Sequence, residues 1–346
     1  MKKCLCLILL CFCVVGILPC VASGLKPQAT QVDEQYLLGL YAGNGEQLLV
    51  REQAGHLEIL YRYLPEDQAY TKSNAFPLVK ERYDVYRLRE TGPMTNAEST
   101  VKFERDKDGY GISCNVGGNR YTRKFFGEEK GEPNRLKLEQ TWEQIRGAAA
   151  KIAFPVQTAT HRAELVNLAT IVSNLKYDLR YAGANNLFGA PLYVEKKVYL
   201  DKTAATALQR VQKKLASYGY GLVVWEAYRP WQISALAYEA LPTKNKYMLP
   251  KPEEGYSHNT GMSIDVGLYE LATGKQLAMI SGFDEPSPRQ YSSFNGGTSL
   301  QRWQRDFLQQ QMLSEGFTIS EMEWWHFDYD SANKYQLLNK PLAELS

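Results

Sequence analysis

The sequence predicts two folded parts: a small all-β sandwich or barrel, then an α+β domain in which helices pack on a small antiparallel sheet. Two patterns lead to this expectation. Short runs rich in branched and aromatic residues, separated by turn signals, fill residues 30–127. Helical stripes and short apolar strands share residues 158–346. A length of 346 residues suits about two domains.

The first 23 residues have the pattern of a secretory signal peptide, which is removed from a mature protein. Lys2 and Lys3 precede an almost wholly apolar run, and Val21-Ala22-Ser23 supplies the small residues that a signal peptidase requires. The run falls short of the roughly 20 residues that span a bilayer. We therefore expect export to the periplasm or cell envelope, with no stable membrane span. The alternatives are a membrane anchor and a lipid attached to Cys20.

Charge and cysteine content narrow the choice of partners. Removal of the signal would leave 38 basic residues against 38 acidic ones, so the mature chain would be formally neutral. Nucleic-acid binding needs a positive surface, and we expect no nucleic-acid partner.

Five of the six cysteines would leave with the signal, so Cys114 alone would remain and no disulfide could form within the chain.

The β-rich part is predicted from short segments with turns between them. The turn signal Asp-Lys-Asp-Gly at residues 106–109 separates two of these segments. The predicted strands are residues 36–41, 57–63, 101–103 and 121–126.

Residues 128–157 are predicted to connect the two parts, with a helix from about residue 136 to residue 151. In the last part, Leu208, Val211 and Leu215 form one helical face, and Gly219 is a plausible terminator. A strand at residues 221–225 follows. A second helical stripe is formed by Leu300, Trp303 and Phe307, and Gly316 ends it.

Two of the four histidines stand in patterns that indicate a metal site. His258 and Asp265 are seven residues apart, and Gly261 between them makes a turn easy. Imidazole nitrogen and carboxylate oxygen are both good zinc ligands. His326 would complete a three-ligand site with an open fourth position, as catalytic zinc requires. The alternative is a surface histidine with a structural aspartate.

Glu323 and Arg229 are candidates for the chemistry around such a metal. Glu323 lies three residues before His326 in Glu-Trp-Trp-His, and its carboxylate would take a proton from the attacking water and pass it to the leaving amine. Arg229 is a permanent cation that would stabilise an oxyanion. The alternatives are core tryptophans beside an ordinary acid, and a surface salt bridge.

Arg-Pro, then Ser-His-x6-Asp, then Glu-x-Trp-His, in this order over about a hundred residues, closely resemble the D-Ala-D-Ala dipeptidase (VanX-type) family of zinc D,D-peptidases. The resemblance spans roughly residues 160–335 and includes the stretch 178–189. It departs from the family pattern at Leu187, where phenylalanine is expected, and at Tyr256, where a small polar residue is usual.

The resemblance implies an α+β zinc peptidase domain with one Zn²⁺ per chain, held by His258, Asp265 and His326. Glu323 would be the general base and acid, and Arg229 would stabilise the transition state. Three more residues would line the substrate pocket: Ser257, Tyr181 and Asn186. For two of these an alternative stays open, because Ser257 would also serve as a loop hydroxyl and Asn186 as a turn residue.

The implied activity is hydrolysis of D-Ala-D-Ala or a related D,D-dipeptide in the cell envelope. One alternative is a D,D-carboxypeptidase that trims peptidoglycan stem peptides. Another is a non-catalytic, zinc-containing envelope-binding protein, and the presence of Glu323 and Arg229 argues against it. His56 and His161 lie outside these motifs, and we expect surface or capping roles for them.

Overall fold

The computed structural model describes residues 26–29, 31–61, 75–88, 99–130 and 134–345. The predicted signal peptide, and the alternative lipid site at Cys20, lie outside the described residues. Within the described part of the chain, none of the helices is both long enough and apolar enough to cross a membrane.

Eight antiparallel strands form a closed barrel in the N-terminal part, so the barrel is the correct one of the two predicted β architectures. A one-turn helix, α1 (Val32–Gln35), precedes them. The strands are β1 (Gly39–Gly43), β2 (Glu46–Gln53), β3 (His56–Tyr61), β4 (Ala75–Arg82), β5 (Val85–Leu88), β6 (Thr100–Arg105), β7 (Gly111–Val116) and β8 (Asn119–Lys124). Each strand pairs with the next in the chain, and β1 also pairs with β8, which closes the sheet.

The barrel has a core of its own. Tyr41, Val50, Phe103 and Tyr121 are almost fully buried there, together with Cys114. Burial raises the pKa of the Cys114 thiol to about 12, because the thiolate would have to be desolvated. This cysteine is therefore a packing residue with little nucleophilic character.

The connection to the second part contains a 3-10 turn (Gly127–Lys130) and one helix, α2 (Trp142–Ala149). This helix begins later than the predicted start near residue 136. Thr141 and Gln144 form a reciprocal capping box that sets its first turn. Leu136 lies outside the helix. Its backbone N–H donates to the Leu187 carbonyl at 2.8 Å, a long-range contact.

A five-stranded sheet organises the second part, in the order β10-β12-β13-β15-β14. Its neighbours run antiparallel except β10, which is parallel to β12. A separate antiparallel pair is formed by β9 and β11. The strands are β9 (Leu165–Asn167), β10 (Lys176–Tyr177), β11 (Tyr199–Asp201), β12 (Tyr220–Glu226), β13 (Ser263–Glu270), β14 (Phe317–Ile319) and β15 (His326–Tyr329).

Helices cover this sheet, and their apolar faces supply the larger core of the molecule. They are α3 (Leu168–Ile171), α4 (Lys202–Ser217), α5 (Trp231–Ala240), α6 (Ser257–Thr260) and α7 (Ser299–Leu313). The predicted face of Leu208, Val211 and Leu215 is confirmed on α4, where all three are fully buried. Gly219 follows α4 with a φ of +83°, a left-handed conformation that suits glycine after a helix.

Candidate active site

Sheet register brings the predicted metal ligands together. Asp265 on β13 is paired directly with His326 on β15, and Glu226 on β12 is paired with Asp265 from the other side. His258 lies on the one-turn helix α6, which ends at Gly261 with a φ of +79°. This left-handed residue turns the chain from α6 into β13, so that His258 returns over Asp265.

The three ligand atoms form a compact triangle. His258 Nε2 lies 3.1 Å from His326 Nδ1 and 3.2 Å from the nearer oxygen of Asp265, and His326 Nδ1 lies 2.9 Å from the other Asp265 oxygen. Ligands at zinc bond lengths of about 2.0–2.2 Å in a tetrahedral site would lie roughly 3.3 Å apart. The spacing therefore suits one small metal ion, and all three residues are buried.

The outer ring nitrogens are hydrogen-bonded to other groups, which leaves a free lone pair on each inner nitrogen. His258 Nδ1 donates to the Ala227 carbonyl at 2.7 Å. His326 Nε2 lies 3.2 Å from both Asp328 Oδ1 and Ser257 Oγ. Because a carbonyl and a carboxylate can only accept, the protons belong on these outer nitrogens. Two imidazole lone pairs and a carboxylate thus converge on one point, which is the donor set of a divalent metal site.

The electrostatics of the cluster favour a positive charge at this point. Burial would raise the pKa of Asp265, but its contacts with His258 and His326 hold that pKa well below its usual range. Burial would lower the pKa of His326, but hydrogen bonds to Asp265 and Asp328 raise it well above its ordinary value. A cation bound between these groups would take the place of the proton that they attract.

Glu323 stands beside the cluster without belonging to it. Its Oε2 lies 4.0 Å from His326 Nδ1, and about a third of its side chain, 33%, is exposed to the cavity. Partial burial raises the pKa of Glu323, and the negative charge of Asp265 raises it further. Trp324 and Trp325, which follow it, are fully buried, so they are core aromatics as the alternative interpretation expects. The acid before them nevertheless faces the site.

Arg229 is part of a buried ion pair, so the alternative of a surface salt bridge is wrong. Its Nη1 donates to Glu226 at 2.8 Å, with the two side chains only 4% and 2% exposed, and its Nε donates to Ser234. The rings of Tyr181 and Tyr256 lie 5.5 and 5.2 Å from the guanidinium carbon, close enough for cation–π attraction. Burial opposes its charge, but Glu226 raises the pKa of Arg229 above its ordinary value.

These groups share one cavity of about 880 Å³. Leu187 and Phe188, at the position where the sequence departs from the family pattern, form part of its apolar wall. Aromatic, apolar and basic residues also line the cavity: Tyr238, Leu241, Lys246, Tyr247, Met248, Leu249, Pro250, Lys251 and Met322.

Of the three predicted substrate contacts, two reach this cavity. Tyr181 lines it and donates its hydroxyl to the Asp284 carboxylate, and Ser257 lines it beside His326. Asn186 is directed elsewhere. Its amide nitrogen contacts the carbonyls of Arg180, Gly183 and Ala190 at 2.8–3.0 Å, and its oxygen accepts from the Phe188 N–H. Asn186 therefore shapes the loop behind the apolar wall, as its alternative interpretation as a turn residue describes.

Sequence reasoning missed Asp284, which lines the same cavity. It lies in the loop after β13 with a φ of +56°, a left-handed conformation that is uncommon outside glycine. Burial raises the pKa of Asp284 well above its usual range, and the nearby charge of Glu323 adds to this. The only sequence signal is the acidic pair Asp284-Glu285 in a loop, which is too common a pattern to indicate chemistry. His56 and His161 are exposed and lie outside the cavity lining.

Known proteins are similar to the second part of the chain. The family model described as D-ala-D-ala dipeptidase matches residues 161–344. The D-alanyl-D-alanine dipeptidase of Escherichia coli K12 is 34% identical over 175 residues, which cover 51% of this chain and 89% of that protein. The D-alanyl-D-alanine dipeptidase of Enterococcus faecalis is 32% identical over 195 residues, covering 51% and 93%. A solved structure of the LdcB LD-carboxypeptidase shares 18% identity, with a TM-score of 0.32, over 59% of this chain and 89% of that one. The family match begins downstream of the barrel and of α2.

Proposed function

Because the chain belongs to the D-Ala-D-Ala dipeptidase family and is a metallopeptidase, we propose that it is a zinc enzyme that hydrolyses D-Ala-D-Ala or a related D,D-dipeptide. We assign one zinc ion to His258, Asp265 and His326. The observation that carries the proposal is the convergence of three ligand atoms, 2.9–3.2 Å apart, in a cavity that also contains Glu323 and Arg229.

Glu323 is the proposed general base and acid. Zinc in this site would supply a Lewis acid that polarises the peptide carbonyl and lowers the pKa of the attacking water to about 7. The Glu323 carboxylate accepts a proton from that water and returns it to the leaving amine. Its raised pKa supports this role, because a carboxylate that is easier to protonate holds the transferred proton better. Its Oε2 lies 4.0 Å from His326 Nδ1, so the carboxylate stands beside the ligand cluster, where it would reach a water at the open fourth position.

Arg229 and Asp284 are proposed to bind two different groups of the substrate, the peptide carbonyl and the free ammonium. The Arg229 guanidinium, kept charged by Glu226, faces the cavity and would stabilise the oxyanion that forms on the peptide carbonyl. Asp284, hydrogen-bonded to Tyr181, would receive the free ammonium group of a dipeptide. An ammonium beside this buried carboxyl would lower its raised pKa and so favour its charged form.

The size of the cavity favours a second candidate, a D,D-carboxypeptidase that removes D-alanine from longer peptides. Cavities of roughly 300–1,000 Å³ bury drug-sized ligands, and 880 Å³ is more than two alanines require. Tyr247 and Met322, on the outer part of the cavity, are 77% and 55% exposed and would contact the remainder of a longer peptide.

We place this activity in the cell envelope, on the strength of the signal-like residues 1–23. The expected partner is a small D,D-dipeptide or a peptidoglycan-derived peptide. N-terminal sequencing of the protein from an envelope fraction tests this location, since a start near Gly24 requires that the signal has been cleaved.

The decisive experiment measures D-alanine release from D-Ala-D-Ala by the chain from about Gly24 onward, with zinc supplied. Glu323→Ala should retain one zinc ion per chain while its kcat falls by about 10²- to 10⁴-fold, because it loses the proton acceptor. Glu321→Ala is the matched control, since Glu321 is an exposed acid two residues earlier. A pentapeptide stem, assayed in parallel, distinguishes the two candidate functions.

Each outcome has a distinct meaning. Release by the wild type and by Glu321→Ala, but not by zinc-loaded Glu323→Ala, supports the proposal. Cleavage of the stem but not of the dipeptide would favour the carboxypeptidase. Full activity of Glu323→Ala would refute the role of Glu323, and loss of its zinc would show that Glu323 acts on the metal site instead.

A further inference from the structure

The loop that carries Asp284 contains a residue in the left-handed conformation and is held by contacts from outside the loop. We define this Asp284 loop as residues 281–290. Asp284 has a φ of +56°, and left-handed backbone costs free energy for any residue with a Cβ. Such a conformation persists only where surrounding contacts over-determine it. The contacts that hold the Asp284 loop therefore decide where the Asp284 carboxylate lies in the cavity.

Part of this support comes from the connection between the barrel and the second part. Asn134 Nδ2 donates to the backbone carbonyl of Asp284 at 2.7 Å. Gly127, with a φ of +46°, packs against the buried Glu285 carboxylate so closely that a Cβ would overlap it. Glu285 in turn accepts hydrogen bonds from Ser287 and Gly282 of the same loop. The connection thus contacts the loop at Asp284 itself and at the following residue.

A series of alternating charges continues this support into the barrel. Glu129 Oε1 lies 3.0 Å from Arg289 Nη1 in the Asp284 loop and 3.3 Å from Arg123 Nη2 on β8. Arg289 Nε lies 3.4 Å from Glu285 Oε1 and also donates to the Ile280 carbonyl. All four charged side chains are at most 18% exposed. Removing one partner of an enclosed ion pair of this kind costs more free energy of unfolding than removing one partner of an exposed surface pair.

The same connection also contacts a second part of the cavity lining. Leu136 donates its N–H to the Leu187 carbonyl at 2.8 Å, and Leu187 lines the cavity. Every connection residue named here precedes residue 161, where the family match begins. The pocket therefore rests partly on residues that lie outside the matched peptidase segment.

We propose that the connection, through Asn134 and Glu129, positions Asp284 to bind the ammonium group of the substrate. The N-terminal part of the chain would then help to form the substrate pocket. Asn134 and Glu129 are positioning residues that act through Asp284 and touch no reacting atom. This inference rests on the proposed D,D-dipeptidase function, in which Asp284 receives that ammonium.

The test replaces one donor without changing its shape. Asn134→Asp puts an oxygen where the amide nitrogen faces the Asp284 carbonyl, so the hydrogen bond is lost and the loop is repelled. We expect KM for D-Ala-D-Ala to rise about 5- to 10-fold, while kcat and zinc stoichiometry stay unchanged. Glu129→Gln should also raise KM, because Arg289 loses one of its two charged partners and keeps only Glu285. Asn119→Asp is the matched control, since the Asn119 oxygen accepts from Asn44 in the barrel and an aspartate keeps that acceptor.

Hydrogen exchange provides a readout that does not depend on turnover. Backbone amides of the Asp284 loop should exchange faster in Asn134→Asp than in the wild type or in Asn119→Asp, with no change in α4 or α7. An unchanged KM in an active Asn134→Asp enzyme overturns the proposal, and so does a fall in kcat at constant KM. If the wild type releases no D-alanine, the proposed function fails, and unchanged exchange of the loop would then separately refute the positioning by Asn134.

Discussion

Replacing Asp328 by asparagine should weaken zinc binding although no proposed ligand is removed. Asp328 Oδ1 lies 3.2 Å from His326 Nε2, the ring nitrogen that points away from the cluster, and Asp328 also accepts from the Ser263 hydroxyl. A carboxylate in this position orients the ring and makes the coordinating nitrogen more basic, and its loss usually costs about 10- to 100-fold in metal affinity. Asparagine keeps the shape and one acceptor but loses the charge, so we expect about a 10-fold loss, or about 1.4 kcal/mol.

Asp328→Ala removes the acceptor altogether, and for it we expect a loss near 100-fold. The assay is a titration of zinc against a chelator of known affinity at one fixed pH, with circular dichroism to establish that each variant is folded. Asp330→Asn is the matched control. Asp330 lies two residues after Asp328, is exposed, and forms an ion pair with Lys334. Equal zinc affinity in Asp328→Ala and in the wild type would refute the reasoning. Equal losses in the Asp328 and Asp330 variants would indicate a general effect of surface charge.

Three further predictions concern the groups around the metal site. Arg229→Lys keeps the charge but loses the planar fork, and kcat should fall about 10²- to 10³-fold with unchanged zinc content, measured by steady-state kinetics and metal analysis. Glu226→Gln leaves Arg229 buried without a counter-charge, and urea denaturation should show a loss of roughly 3–5 kcal/mol in the free energy of unfolding. Gly261→Ala places a Cβ against Leu165 at a φ of +79°, so its melting temperature should fall, and an unchanged value would contradict the left-handed turn.

Much of the proposed metal site could be predicted because its residues stand in short local patterns. His258, Gly261 and Asp265 lie within eight residues, and Glu323 and His326 within four. Residue chemistry and spacing then limit what each group can do. The helical face on α4 was predictable for the same reason, because the period of its apolar residues is a local property.

Other features depend on contacts between distant parts of the chain, and these the sequence did not reveal. Leu136 lies outside the helix α2 and donates its N–H to the carbonyl of Leu187, about fifty residues away. Asn186 fits the family pattern, yet its amide is directed into its own loop. Asp284 could be recognised as a site residue only in the folded chain. There its carboxylate accepts a hydrogen bond from the hydroxyl of Tyr181, more than a hundred residues away in the sequence.

By itself, the sequence yielded the predicted division into a β-rich part and a mixed part, the resemblance to the dipeptidase family, and the proposed metal ligands and proton acceptor. The division follows from composition and period along the chain, and the resemblance rests on short motifs, so both can be recognised without a fold. Only the tertiary structure decided that the β part closes into a barrel, that Asp265 stands opposite His326 in the sheet, that Arg229 is buried against Glu226, and that the connection supports Asp284. The physical reason is that strand register, burial and long-range hydrogen bonds arise from packing between residues far apart in the chain.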